Sequence, residues 1–340
     1  MDKKYTILTG ITPSGSGEVH IGNFFGTVEP FLEMAKKANK IYFFMADLHA
    51  LTTVQNKQEL QHNVENLVLS YLAFGFDPEK VIFYRQSDIG LHPELQTILN
   101  NVTPLGLIKR CHAYKDKLQK GVGEEEVNMG LFNYPILMAA DILLYQPDFV
   151  PVGRDQQQHV EITRDIAERF NKIYGPVFKL PNVYIKKEVA VIIGTDGKRK
   201  MSKSLDNYIG IFEDEEVIKK EIMSCYTDPT RIHPTDPGHT ENNPVFIYHR
   251  LINEDKSQVQ DLEERYKRGK VSDVEVKEKL FKALLKKFKI QRERYQELKR
   301  NPEQIKIILK EGAEKARIVA LNTLKEVCEA IGIKNKYSFD

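Results

Sequence analysis

Tyr5-Thr6-Ile7-Leu8-Thr9, then Gly10-Ile11-Thr12-Pro13-Ser14-Gly15-Ser16-Gly17-Glu18-Val19, then His20-Ile21-Gly22-Asn23 is the stretch from which the fold is read. Its first five residues predict a short buried strand; Pro13, Gly15 and Gly17 predict a loop; His20 predicts a helix start. Strand, glycine-rich loop and helix form a nucleotide-binding layout. A helix start presents unpaired N–H groups, and a glycine lets a phosphate or ribose approach the backbone. Here Gly22 would give the close approach, while His20 and Asn23 would donate hydrogen bonds. Working outward, residues 41–46 predict a second strand with Asp47-Leu48-His49-Ala50 at its carboxyl end, where α/β sheets place ligands. A helix at 58–74, a strand at 81–84 and a helix at 93–102 continue the alternation, so a doubly wound parallel sheet is expected. An insertion from about 103 to 149 interrupts it before further strands near 149–152 and 189–193.

The chain has 340 residues and 41% apolar composition, enough for a sizeable core and two domains, placed at 1–206 and 207–340. Beyond Asp206, charged and apolar positions alternate at helical spacing over 213–226, 243–252, 273–298 and 302–331, which predicts an all-helical second domain. No stretch approaches the ~18 apolar residues of a membrane span, and no signal-peptide core follows Met1, so a cytoplasmic protein is expected. Cys111, Cys225 and Cys328 are scattered without metal-ligand spacing; neither zinc nor an iron–sulfur cluster is expected. The net charge is +2, but residues 251–340 hold 22 Lys and Arg against 16 Asp and Glu. That surplus fits a nucleic-acid face and equally fits i,i+4 pairs on solvated helices.

Lys200-Met201-Ser202-Lys203-Ser204 lies about 180 residues beyond the first stretch, after the turn-rich, basic Thr195-Asp196-Gly197-Lys198-Arg199. Alone it also reads as a solvated basic loop. The ordered pair P-S-G-x-x-x-x-H-I-G-N and K-M-S-K-S, however, resembles the two signatures of the class I aminoacyl-tRNA synthetases. That resemblance implies a Rossmann-like domain whose insertion connects two halves, with both runs on one ATP. Asp141 stands within Tyr134-Pro135-Ile136-Leu137-Met138-Ala139-Ala140-Asp141-Ile142-Leu143-Leu144-Tyr145, an almost wholly apolar helix. A buried carboxylate needs a partner in the protein or in a ligand, and the residues alone leave both open.

That helix, the string Val150-Pro151-Val152-Gly153-Arg154-Asp155-Gln156-Gln157-Gln158-His159 and the following residues 161–171 are similar to the tryptophanyl-tRNA synthetase family. With the two signatures, the resemblance spans most of residues 5–210. It implies activation of L-tryptophan by ATP with Mg²⁺, transfer to tRNA(Trp), a homodimer, anticodon contacts from the helices beyond Asp206, and no DNA or membrane partner. It implies that Asp141 accepts the indole N–H, that Met138 and Val152 bound the ring, that Tyr134 orients the amino group, and that His49 and Gln156 lie near the substrate. His20, Asn23 and Gly22 would meet phosphates and ribose; Gly153 and Asp155 would hold the ribose; Met201 would meet adenine. Lys200, Ser202, Lys203 and Ser204 would close over pyrophosphate. Residues 110–117 resemble the family's R-M-T-Q-F-K-x-K, which brings Lys117 to the leaving phosphates. The chain departs from the pattern in having four residues between Gly15 and His20, Thr12 where glutamine is common, and Leu205-Asp206-Asn207 after the second signature. It contains no tryptophan. The competing readings are a tyrosyl enzyme, a non-charging regulator, and a nucleotidyl transferase without tRNA.

Overall fold

Ile7, Ile41, Phe43, Met45, Val81 and Phe83 join the apolar cluster on one side of a parallel sheet, and Leu8, Tyr42, Phe44, Tyr84 and Val150 join the cluster on the other. This alternation follows from the two-residue period of a strand covered on both faces. The structure, a computed structural model, describes residues 5–13, 17, 19–112, 114–115, 123–185, 192–233 and 235–333. Its strands are Thr6–Ile11 (β1), Lys40–Met45 (β2), Val81–Arg85 (β3), Phe149–Pro151 (β4) and Asn182–Tyr184 (β5), in the order β3-β2-β1-β4-β5. All pairs are parallel. The chain winds from β1 outward to β3, then returns to the other side of β1 at β4. The order therefore reverses between β1 and β4, and their carboxyl ends flank the crevice where such sheets hold ligands.

Four strand ends deliver side chains to that crevice. β1 runs into the glycine loop and the Ile21–Asn23 helix, β2 into Asp47–Ala50, β3 into Gln86–Ile89, and β4 into Val152-Gly153. The expected helices at 58–74, 93–102, 213–226 and 243–252 are Lys57–Ala73, His92–Asn100, Glu215–Met223 and Pro244–Ile252. Three elements differ from expectation. The single helix expected over 273–298 is two, Asp273–Lys287 and Lys289–Lys299, and Phe288 between them leaves helical geometry at φ −100°, ψ 14° and is fully buried with its ring 4.9 Å from Phe24. Lys256–Lys267 is a further helix, seated on Val259, Leu262 and Tyr266. The fifth strand is Asn182–Tyr184, whereas most of the stretch expected at 189–193 lies outside the described residues. No helix among the described residues is long and apolar enough to cross a membrane.

The Pro302–Ala330 helix packs against β3 and carries Ala316, Ala320, Leu324 and Val327 into the cluster beneath it. Thr323 Oγ1 donates to Leu144 O at 2.8 Å, and the Arg317 guanidinium donates to Ile89 O. Contact is closest at Gly312, where a Cβ would stand 1.6 Å from Phe83 O. On an open helix face Gly→Ala gains about 0.5–1 kcal/mol. Here the obstacle is a strand carbonyl that cannot rotate away, and overpacking of this kind costs about 1–3 kcal/mol. Gly312→Ala is therefore expected to lower the urea midpoint with an unchanged slope; an equal or higher midpoint would refute this packing.

Candidate active site

The first half of the site is a reciprocal cap. The backbone N–H of Asn23 donates to His20 Nδ1 at 3.2 Å, and the backbone N–H of His20 donates to Asn23 Oδ1, also at 3.2 Å. The first bond fixes the tautomer: Nδ1 accepts, so in the neutral ring the proton is on Nε2, which becomes a donor. The second commits the Asn23 oxygen, leaving its amide nitrogen as the group that can face a ligand. Three residues of α-helix, Ile21–Asn23, then pass through a π-turn, Phe24–Val28, into Glu29–Ala35. Such a bulge widens the turn beside the loop.

The second half meets it directly. A Cβ on Gly22 would stand 3.0 Å from His20 Nδ1 and 3.2 Å from Met201 Sδ, so any larger residue would have to push these side chains aside where the two signatures meet. Ile21 N–H donates to Ile209 O at 3.0 Å and Ile211 N–H to Val19 O at 3.2 Å, joining the segments around His20 on either side. His20 is buried, and its pKa is lowered to about 3 by burial first, then by Lys203 and Lys200. The two lysines thus act electrostatically on the ring that the first signature supplies.

The lysine loop is organised by a residue the sequence reading passed over. Asn207 is 2% exposed. Its Oδ1 accepts Ser202 N–H at 2.8 Å, and its Nδ2 donates to Asp196 Oδ2 at 3.1 Å and to Lys200 O at 3.3 Å. Asp196 in turn accepts the backbone N–H groups of Lys198 and Arg199 and the Arg199 Nε, bonds that hold its carboxyl well below the usual carboxylate range. Asn207 follows the loop in Leu205-Asp206-Asn207, the place where the chain departs from the usual second signature. Lys117 and the side chains of Asp155 and Ser204 lie outside the described residues.

On the other side of the crevice, Asp141 is completely buried. Its Oδ2 pairs with His49 Nε2 at 2.7 Å, and its Oδ1 accepts the Gln86 amide N–H at 2.6 Å. His49 and Asp141, both named from sequence, are therefore in contact, while Gln86 was not named. Tyr134 sets its ring edge-on to His49 at 6.2 Å, and its hydroxyl pairs with His159 Nε2 at 2.8 Å. Burial pushes the Tyr134 hydroxyl above its ordinary pKa. A cleft of about 230 Å³ opens here between His49, Thr52, Gln96, Asn133, Tyr134 and Leu137, among others. Met138 and Val152 are half-buried against the apolar cluster that surrounds Asp141, and Gly153 caps the Arg154–Gln156 turn. A buried polar pair set among apolar side chains, with His49 also lining the cleft, suits a small amphipathic substrate.

A family model described as tRNA synthetases class I (W and Y) matches residues 1–289. A tryptophan–tRNA ligase of Fusobacterium nucleatum is 42% identical over 327 residues, 96% of this chain and 97% of the relative. The chain belongs to the tryptophan–tRNA ligase family of class I synthetases. A second ligase of this family, from Campylobacter jejuni, is also 42% identical and covers 96% of this chain and 99% of the relative. The crystal structure of the Campylobacter jejuni tryptophanyl-tRNA synthetase, in complex with ADP and tryptophan, superposes with a TM-score of 0.88 at 41% identity, covering 96% of this chain and all of the other. An Archaeoglobus fulgidus tyrosyl-tRNA synthetase shares the fold at 21% identity and a TM-score of 0.63. The family is thus the one expected from the two signatures and the Asp141 helix.

The shift of His20 carries a sign that can be measured in this ligase-family chain. Its folded pKa, about 3, lies below the ordinary 6.5, so the unfolded chain binds the extra proton first as pH falls. Stability from this group is complete above pH 6.5 and is lost as pH falls towards 3. The difference in unfolding free energy between wild type and His20→Gln should shrink over that window; a pH-independent difference would refute the burial of a neutral ring.

Proposed function

We propose that this chain activates L-tryptophan with ATP and transfers the acyl group to tRNA(Trp). The observation that carries the reading is the contact of the two signature segments, through Gly22 and Met201, in a chain whose buried Asp141 lies beside a cleft. In the first step a carboxylate oxygen of tryptophan attacks the α-phosphorus, and the bond to pyrophosphate breaks. Neither event needs a protein nucleophile, so catalysis is positioning and charge stabilisation. The His20 Nε2–H and the Asn23 amide donate to the nucleotide, with Gly22 allowing its approach. Met201 offers backbone contacts to adenine, and Gly153 and Asp155 hold the ribose. Lys200, Ser202, Lys203 and Ser204 close over the departing pyrophosphate, with Lys117 assisting, and Mg²⁺ enters with ATP as part of that substrate.

Asp141 accepts the indole N–H, Met138 and Val152 bound the ring, Tyr134 orients the amino group, and His49 and Gln156 complete the pocket. The helices of residues 207–340 face the anticodon, two copies of the chain form the working enzyme, and it acts in the cytoplasm. The test is pyrophosphate exchange into ATP with each amino acid in turn, followed by charging of purified tRNAs. Tryptophan should be the sole strong stimulant. Equal stimulation by tyrosine would overturn the choice of amino acid, and no stimulation by any would overturn the enzyme.

A further inference from the structure

Gln86, the first residue after β3, is completely buried beside Asp141. Its amide nitrogen donates to Asp141 Oδ1 at 2.6 Å, and its amide oxygen accepts Leu48 N–H at 3.2 Å. The second bond dictates the first. A backbone N–H can only donate, so the amide oxygen must face Leu48 and the NH₂ must face the carboxylate. The backbone is pinned as well: Gln86 O pairs with His92 Nδ1 at 3.2 Å, and His92 Nε2 with the Tyr145 hydroxyl at 3.2 Å. His92 is completely buried, and burial lowers its pKa, so the ring is neutral, donating through Nδ1 and accepting through Nε2.

Asp141 is therefore gripped by two donors, Gln86 on Oδ1 and His49 on Oδ2. A carboxylate offers about four acceptor directions, so it can take a third N–H without releasing either partner. Gln86 is suited to this because its amide is neutral: it orients the carboxylate without pairing off its charge, as a lysine or arginine would. It also holds Leu48, the neighbour of His49, so one side chain fixes both Asp141 and the strand end that carries its other partner.

We infer that Gln86 is a positioning residue for amino-acid selection: it locks the Asp141 carboxylate in the plane from which a substrate N–H is accepted, and thereby sets discrimination against side chains that lack that donor. The inference rests on the reading of Asp141 as the indole acceptor. The probe is the ratio of kcat/KM for tryptophan to that for its analogue with sulfur in place of the indole N–H, measured by pyrophosphate exchange in the full-length enzyme. Gln86→Leu should lower the ratio ~10-fold or more, the range for a hydrogen bond to a charged group, with the KM for ATP unchanged. Gln86→Glu preserves the shape and the acceptor for Leu48 N–H, so it covers the case in which the leucine variant does not fold. It should lower the ratio too, since two acids then compete for one proton. A merely structural role would reduce both substrates equally, so an unchanged ratio in a folded variant overturns the inference. Asp141→Asn separates the two ideas: if it collapses the ratio while the Gln86 variants do not, only Gln86 loses its role, and if it leaves the ratio intact, the indole reading itself fails.

Discussion

Replacing Lys203 by alanine is expected to slow tryptophanyl-adenylate formation by ~10²–10³, as for removal of one preorganised charge-stabilising donor, with little change in tryptophan affinity. Lys203 acts on His20 strongly enough to be the largest charge effect on that ring after burial. The backbone of the loop is held by other bonds. Asn207 holds Ser202 N–H and Lys200 O, and Met201 N–H donates to Ile192 O at 2.9 Å. A fall in rate with tryptophan binding intact is therefore the result expected of the proposed role, a loss of charge at the leaving phosphates. The chain contains no tryptophan, so the change in emission of the amino acid on binding is not overlaid by indole emission from the protein. An unchanged exchange rate, with binding intact, would remove Lys203 from the reaction.

The parallel sheet was legible because β1, β2 and β3 hold apolar runs separated by helix-spaced segments, and because His20 and Lys200 to Ser204 stand in signature strings. His49 and Asp141 were named through resemblance, each for the substrate; their contact with each other at 2.7 Å was not foreseen. Gln86 and Asn207 were not. Each is a polar residue with no distinguishing spacing, and its burial arises only when separate strand ends or loop arms converge. A glutamine after β3 becomes an amide donor to a carboxylate on a helix 55 residues away only once the sheet brings them together. The break at Phe288 escaped for a related reason: residues 273–298 contain no glycine or proline to end a helix, and the packing of Phe288 on Phe24 is a contact between segments far apart in sequence. Asn182–Tyr184 is three residues long, too short for an alternation to declare itself.

Asp141→Ala is expected to damage selection more than turnover with ATP. On the proposed role of Asp141, an analogue without the indole N–H would leave one acceptor direction of a completely buried carboxylate unfilled while Gln86 and His49 stay bonded to it, and sites built to bond a substrate N–H reject such analogues by as much as ~10⁴–10⁵. Alanine removes the acceptor, so that penalty disappears and the preference should collapse towards unity, while the KM for ATP stays near its wild-type value. The same substitution leaves the Gln86 amide N–H and His49 Nε2 without their carboxylate partner. Each orphaned donor costs about 1–3 kcal/mol, less for His49, whose partial exposure lets water replace the bond. Unfolding should therefore occur at lower urea, and added tryptophan should stabilise the variant less than wild type, because ligand stabilisation follows affinity. These two readouts distinguish a substrate acceptor from a purely structural acid. A structural acid would destabilise the fold yet leave the preference for tryptophan over the sulfur analogue untouched, and that result would place the N–H acceptor elsewhere in the pocket.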